Sequence, residues 1–196
     1  MSDGGCCTTV ARSELILGGQ KSGKSRRAEL LARAWLESSP GHGAALIATA
    51  QPWDDEMRDR IRRHRIDRLA RVPGLETIEE PLWLAEAIVR HSRPDRLLVV
   101  DCLTLWLTNL MMPAAGSGLG ADELEPKIMQ LTRSIGAAPG PVVLVGNEIG
   151  LGVIPLGHEV RAFVDTLGRL NQAVAAACSR ATLMAAGLPL TLKDSA

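Results

Sequence analysis

The chain reads as an α/β protein: a mostly parallel sheet with helices on both faces and an antiparallel edge at its C-terminal end. Two features predict this. Apolar runs of strand length alternate with helical patterns along the 196 residues, and strand–helix units joined by short turns require a largely parallel sheet covered on both sides. The first unit also carries, between its strand and its helix, Gly18-Gly19-Gln20-Lys21-Ser22-Gly23-Lys24-Ser25. These residues satisfy Gly-x-x-x-x-Gly-Lys-Ser, a loop whose backbone N–H groups wrap phosphate oxygens.

Leu15-Ile16-Leu17 supplies the first strand, and the helix after the loop runs from Arg26 to Leu36 with Ala28, Leu31, Ala32 and Trp35 at helical spacing. Ser38-Ser39-Pro40-Gly41-His42-Gly43 breaks the chain, and Ala44 to Thr49 forms the second apolar strand. Asp54 to Arg71 is a charged helix, Leu82 to Val89 a shorter amphipathic one, and Arg96 to Asp101 a buried strand. Gly116 to Gly120 makes a flexible loop. A helix is expected over Asp122 to Ile135, interrupted early by Pro126, followed by an apolar strand over Pro141 to Gly146. Val160 to Ser179 forms a long helix. Thr182 to Ala186, the turn Gly187-Leu188 and Pro189 to Leu192 close the chain as a hairpin with an antiparallel edge.

This length suits one domain, expected over residues 13–196 behind a flexible extension of residues 1–12. Formal net charge is zero and 46% of residues are hydrophobic, which excludes a disordered chain and a globally basic nucleic-acid binder. No basic start leads into an apolar leader, and no segment approaches the roughly 20 apolar residues of a membrane span. The expectation is a cytoplasmic protein without a membrane span. Cys6, Cys7, Cys102 and Cys178 lack metal-ligand spacing and are too few for a disulfide scaffold, so they read as thiols without catalytic duty.

Within the loop, Lys24 would bridge the β- and γ-phosphates and the Ser25 hydroxyl would ligate Mg²⁺. Leu97-Leu98-Val99-Val100-Asp101 is an apolar strand ending in a carboxylate. Asp101 is therefore the candidate for the opposite side of the Mg²⁺ shell. Asn147-Glu148, after another buried strand, falls at the same carboxyl edge of the sheet, where ligands of open α/β sheets bind. It reads equally as a turn built from Asn and the glycines 150 and 152. Thr49, at the end of the second strand, could touch nucleotide or cap the edge.

Residues 58 to 71 contain seven arginines, and Met57, Ile61 and His64 share one face of that helix. Such a run forms either a solvated, salt-bridged face or a phosphate site. In a phosphate site the arginines would also lower the imidazole pKa and keep His64 neutral and nucleophilic. A nucleic-acid surface lacks the aromatic interleaving it would need.

Taken in order, Gly18 to Ser25, Ile47-Ala48-Thr49, Asp55-Glu56-Met57 with Arg60-Ile61 and His64-Arg65, Asp101-Cys102-Leu103-Thr104 with Thr108-Asn109, Asn147-Glu148-Ile149-Gly150, Gly168 to Gln172 and Ala186-Gly187-Leu188-Pro189 resemble one family. It is the bifunctional adenosylcobinamide kinase/adenosylcobinamide-phosphate guanylyltransferase family, and the resemblance runs from about Leu15 to Lys193. It implies a P-loop NTPase fold of the RecA-like kind, assembled as a homotrimer. It also implies two reactions: phosphorylation of adenosylcobinamide by ATP or GTP, then transfer of GMP from GTP to that phosphate with release of pyrophosphate. The position that carries GMP covalently in the family is His64 here. Nucleotide contacts are implied along the phosphate loop, at Ala48, Thr49 and Ala50, at Arg65, Ile66, Asp67 and Arg68, and at Glu79 and Asp101, with Mg²⁺ on Ser25 and Asp101. The chain departs from the family pattern at Leu69, usually proline, at Gly146, usually Ser or Thr, and at Val164, usually basic. Rival readings are a simple P-loop small-molecule kinase and a nucleotide-dependent regulatory module.

Overall fold

The computed structural model describes residues 9–52 and 55–195. It is a three-layer α/β/α arrangement on one seven-stranded sheet, in the order β3-β2-β4-β5-β1-β6-β7. The strands are β1 (Ser13–Gly18), β2 (Gly43–Ala48), β3 (Leu75–Glu79), β4 (Arg96–Asp101), β5 (Val142–Val145), β6 (Arg180–Ala185) and β7 (Leu188–Asp194). Every pairing is parallel except β6 with β7. The parallel strands therefore end at one edge, and β5 lies between β1, which leads into the phosphate loop, and β4, which ends at Asp101.

Alternation along the strands builds two cores. Leu15, Leu17, Ile47, Leu98, Val100 and Leu144 face one side, and Ile16, Leu46, Leu97, Val99, Val143 and Val145 the other. The second side is covered by α1 (Lys24–Ser38) through Ala28, Leu31 and Ala32, and by Val72, just after α2 (Asp55–Arg71). The first carries α3 (Leu84–His91), α4 (Leu103–Met111), α5 (Ala121–Ala137) and α6 (His158–Ala177). Each large side chain buried here contributes about 1.5–3 kcal/mol. Their two-sided burial explains why these strands are continuous apolar runs.

Three elements differ from the sequence expectation. β3 was not expected: Leu-Glu-Thr-Ile-Glu is an edge strand with only Leu75 fully buried, so it presents no apolar run. α4 was not expected either, because Leu103, Trp106, Leu107 and Leu110 continue the apolar run of β4 into a helix packed deep in the larger core. The third correction concerns α5, which runs through Pro126 without interruption. Its start is held by the Glu123 carboxylate accepting from the Gly120 N–H (3.0 Å), and Leu124, Ile128 and Leu131 bury its inner face. Those anchors offset the hydrogen bond that proline removes.

The C-terminal end of the expected extension is held to the fold. Val10 packs against the smaller core, and the Thr9 carbonyl accepts from Arg180 at 2.8 Å. Glu14, wholly buried in β1, ties three elements by accepting from Arg27 of α1 (3.0 Å) and Thr182 of β6 (2.8 Å). Cys6 and Cys7 lie outside the described residues. Cys102 and Cys178 are buried free thiols, and burial chiefly pushes their pKa values up to about 11 and about 12. Among the described residues no helix is long and apolar enough to cross a membrane.

Candidate active site

The phosphate loop is the turn from β1 into α1. Gly18 has φ +152°, and a Cβ there would lie 2.5 Å from both the Met184 carbonyl oxygen and the Ser22 Oγ, so no side chain fits. Gly23 takes the left-handed φ of +101° immediately before α1, and Lys21 is also left-handed at +55°. Such alternation turns successive N–H groups toward one concavity, and the first turn of a helix adds more unpaired N–H groups and positive partial charge. The hairpin between β6 and β7 braces the loop from outside, with the Gly187 N–H donating to the Ser22 carbonyl at 3.1 Å.

Lys24 is buried, and its Nζ donates to the Gly19 carbonyl at 2.6 Å, inside the curl of the loop. Burial pushes its ammonium below the ordinary value, and the neighbouring Cys102 and Asp101 oppose that shift. The charge-bearing ends of β1–α1 and β4 thus converge. Ser25 in the first turn of α1 and Asp101 at the end of β4 are both half-buried. A hydroxyl and a carboxylate are hard oxygen donors, which suits an Mg²⁺ ion shared with triphosphate oxygens. The Ser22 hydroxyl is buried without a hydrogen-bond partner among the described residues, and a phosphate oxygen would supply one.

Thr49 braces the edge. It is fully buried; its hydroxyl donates to the Cys102 carbonyl (2.7 Å) and accepts from the Cys102 N–H (2.8 Å), locking the end of β2 to the end of β4. Asn109 of α4 completes this brace by donating to the carbonyls of Thr49 (2.8 Å) and Pro81 (3.1 Å). Ala48 and Ala50 flank Thr49, both half-buried. Asn147 is clamped through its backbone: its N–H donates to Thr104 Oγ1 (2.9 Å), and its carbonyl accepts from Asn171 (3.1 Å). The Glu148 N–H then donates to the Gly18 carbonyl at 3.1 Å, joining the β5 edge to the phosphate loop.

His64 lies on α2, whose described ties to the rest of the molecule are ion pairs; the His64 side chain is outside what the structure describes. Arg65 reaches Glu79 at the end of β3, with a separation of 3.6 Å between two exposed groups. Arg71 pairs with buried Glu29 of α1 at 2.7 Å, and Arg68 approaches the same carboxylate at 3.8 Å. The implied contact segment is therefore divided. Arg65 faces the β3 end, Arg68 faces α1, Asp67 pairs with Arg71 (3.3 Å), and Ile66 is exposed. Glu29 escaped the sequence reading, because it stands 42 residues from Arg71 and only the packing of α2 over α1 brings them together.

Fold and loop together define a P-loop nucleotide-binding protein of the α/β class. The sequence model of the family described as cobinamide kinase / cobinamide phosphate guanyltransferase matches residues 14–192, and the chain belongs to that family. It is 46% identical over 180 residues to the bifunctional adenosylcobalamin biosynthesis protein CobP of Pseudomonas aeruginosa, covering 92% of this chain and 96% of that one. It is 35% identical over 188 residues to the bifunctional adenosylcobalamin biosynthesis protein CobU of Escherichia coli, covering 91% and 98%. Among solved structures, the flagellar accessory protein FlaH from Methanocaldococcus jannaschii is similar, with a TM-score of 0.50 at 14% identity over 94% of this chain and 80% of that one. That likeness concerns the fold.

Proposed function

We propose that the protein phosphorylates the hydroxyl of adenosylcobinamide with ATP or GTP and then transfers GMP from GTP to the new phosphate through a covalent GMP on His64. The observation that supports this most is the buried Lys24 inside a curled glycine loop, with Asp101 beside it, in a chain whose family match spans residues 14–192. In the first reaction the substrate oxygen attacks the γ-phosphorus, the bond to the β,γ-bridging oxygen breaks, and the hydroxyl proton leaves to solvent. Lys24 and the loop N–H groups hold the charge that builds on the phosphate oxygens. In the second, an imidazole nitrogen of His64 attacks the α-phosphorus and pyrophosphate leaves. A phosphate oxygen of the acceptor then displaces the imidazole, giving adenosylcobinamide-GDP. Arg65, which pairs with Glu79 at 3.6 Å, would offset nucleotide charge on the α2 side. Mg²⁺, when bound, would sit on Ser25 and Asp101 and offset the charge of the triphosphate.

This chemistry belongs in the cytoplasm, where nucleoside triphosphates are supplied. Incubation with adenosylcobinamide, GTP and Mg²⁺ should yield adenosylcobinamide-GDP and pyrophosphate, read by liquid chromatography and mass spectrometry. A reaction that stops at the phosphate would leave only a kinase, and nucleotide hydrolysis without a corrinoid product would overturn both activities.

The same reading includes a homotrimer. Leu188, Leu190 and Leu192 recur along the edge strand β7 and are 70%, 57% and 55% exposed, the kind of bare apolar edge that subunit association covers. Light scattering should give a mass about three times the 20.9 kDa chain, in keeping with closed cyclic symmetry. A monomer active at assay concentration would contradict this.

A further inference from the structure

We propose that the cavity between residues 161–172 of α6, the 149–155 loop and the C-terminal end of α4 holds the macrocycle of the corrinoid acceptor. This rests on the reading above and assigns the substrate a place. The cavity has a volume of about 860 Å³, toward the upper end of small-molecule sites. Its wall is mainly apolar, including Met111, Ile154, Ala162 and Val164, with Arg169 and Gln172 among its polar groups. A corrinoid is a broad, largely apolar ring fringed by amides, and it matches a wall of that kind.

Position supplies the second argument. The loop that forms the rim begins at Glu148, whose N–H is bonded to the Gly18 carbonyl of the phosphate loop. A ring seated here would therefore lie on the same carboxyl edge of the sheet as the phosphate loop. The rim is pinned at both ends: the Glu148 carboxylate accepts from the Gly150 N–H (2.8 Å), and Arg161 donates to the carbonyls of Pro155 (3.0 Å) and Leu156. Between these pins Leu151 is 82% and Val153 96% exposed, and Leu156 at the second pin is 95% exposed. Isolated apolar side chains on a surface are ordinary, but this run beside a large cavity at the nucleotide edge marks a binding surface.

The polar part of the wall is available to the ligand. Arg169 donates to Thr166 Oγ1 at 3.2 Å and has no carboxylate within ion-pair distance among the described residues. It can therefore donate to amide oxygens on the ring periphery or to the phosphate of the second reaction's acceptor.

Gly168 provides the test. It lines the cavity within α6, and a Cβ there would meet nothing within 4 Å, so the first side-chain atom has open space and longer side chains compete with a ligand for the cavity. In the series Gly168→Ala, Gly168→Leu, Gly168→Trp, the KM for adenosylcobinamide should rise with side-chain volume, reaching about tenfold or more for Trp. The KM for GTP and the yield of protein-bound GMP should not follow that series. An unchanged corrinoid KM across the series would overturn the proposal. So would a loss of trimer mass with the corrinoid KM intact, since that outcome assigns the surface to a subunit contact. Failure of the wild-type protein to act on adenosylcobinamide at all would instead remove the functional reading, and the proposed occupant with it.

Discussion

Lys24→Ala is expected to lose nucleotide-dependent phosphorylation of the acceptor by about two to three orders of magnitude, the scale of removing one preorganised electrostatic stabiliser. Lys24 is buried, and its hydrogen bond to the protein is to the Gly19 carbonyl, a group within the same loop. Its charge is held where burial opposes it, and that cost has a functional return only if a more negative group arrives. A triphosphate is such a group. Lys24→Met, close in length and without charge, should lose activity to a similar degree and melt near the wild-type temperature, separating lost charge from lost packing. The guanylyl step should fall as well, because in the proposed function GTP occupies the same loop. Near-normal turnover in either variant would remove the loop from the chemistry.

His64→Ala should abolish guanylyl transfer while leaving kinase activity measurable, so that phosphorylated cobinamide accumulates. The two activities separate here because the proposed kinase elements, the phosphate loop and Asp101, lie on β1–α1 and β4, whereas the proposed GMP carrier, His64, lies on α2. That helix is tied to the rest of the protein through Arg65 with Glu79 and through Arg68 and Arg71 with Glu29. None of these pairs uses the imidazole, so truncating it leaves the described tethers in place. Formation of adenosylcobinamide-GDP at the wild-type rate by this variant would show that another group carries GMP.

The phosphate loop was legible because its conformation is local. Gly18 and Gly23 adopt backbone angles that side-chain-bearing residues rarely take, and the apolar β1 and the helical spacing of α1 stand directly against them. The closing hairpin was legible too, although its two-residue turn is Ala186-Gly187, both with positive φ, one residue before the expected Gly187-Leu188. What the sequence concealed depends on distant partners. Thr49 read equally as a nucleotide contact or a cap on the edge, and the partner of its hydroxyl, Cys102, stands 53 residues away and engages it from both sides. β3 is half-exposed and α4 is buried on the heels of a strand, so neither shows the pattern expected of its kind.

Gly146 shows how one departure from the family pattern becomes physical once the fold is in view. A Cβ on Gly146 would lie 3.3 Å from Asn171 Oδ1, a buried oxygen with no hydrogen-bond partner among the described residues. The Ser or Thr usual at that position would bring a hydroxyl close to that oxygen. Here Asn171 is left holding Asn147 through its amide nitrogen alone. The clamp on the β5 edge is thus retained with one hydrogen-bonding group unpaired.

The central claim is that one P-loop domain both phosphorylates an alcohol and carries GMP on a histidine. Incubation with Mg²⁺ and GTP labelled at the α-phosphate, followed by intact mass measurement and peptide mapping, tests it most directly. The expected result is one GMP per chain on the peptide containing His64, lost in acid and stable in mild base as a nitrogen–phosphorus bond is, with no label retained from γ-labelled GTP. No adduct, or an adduct on any other residue, would contradict the claim and return the arginine-rich α2 to a solvated, salt-bridged face.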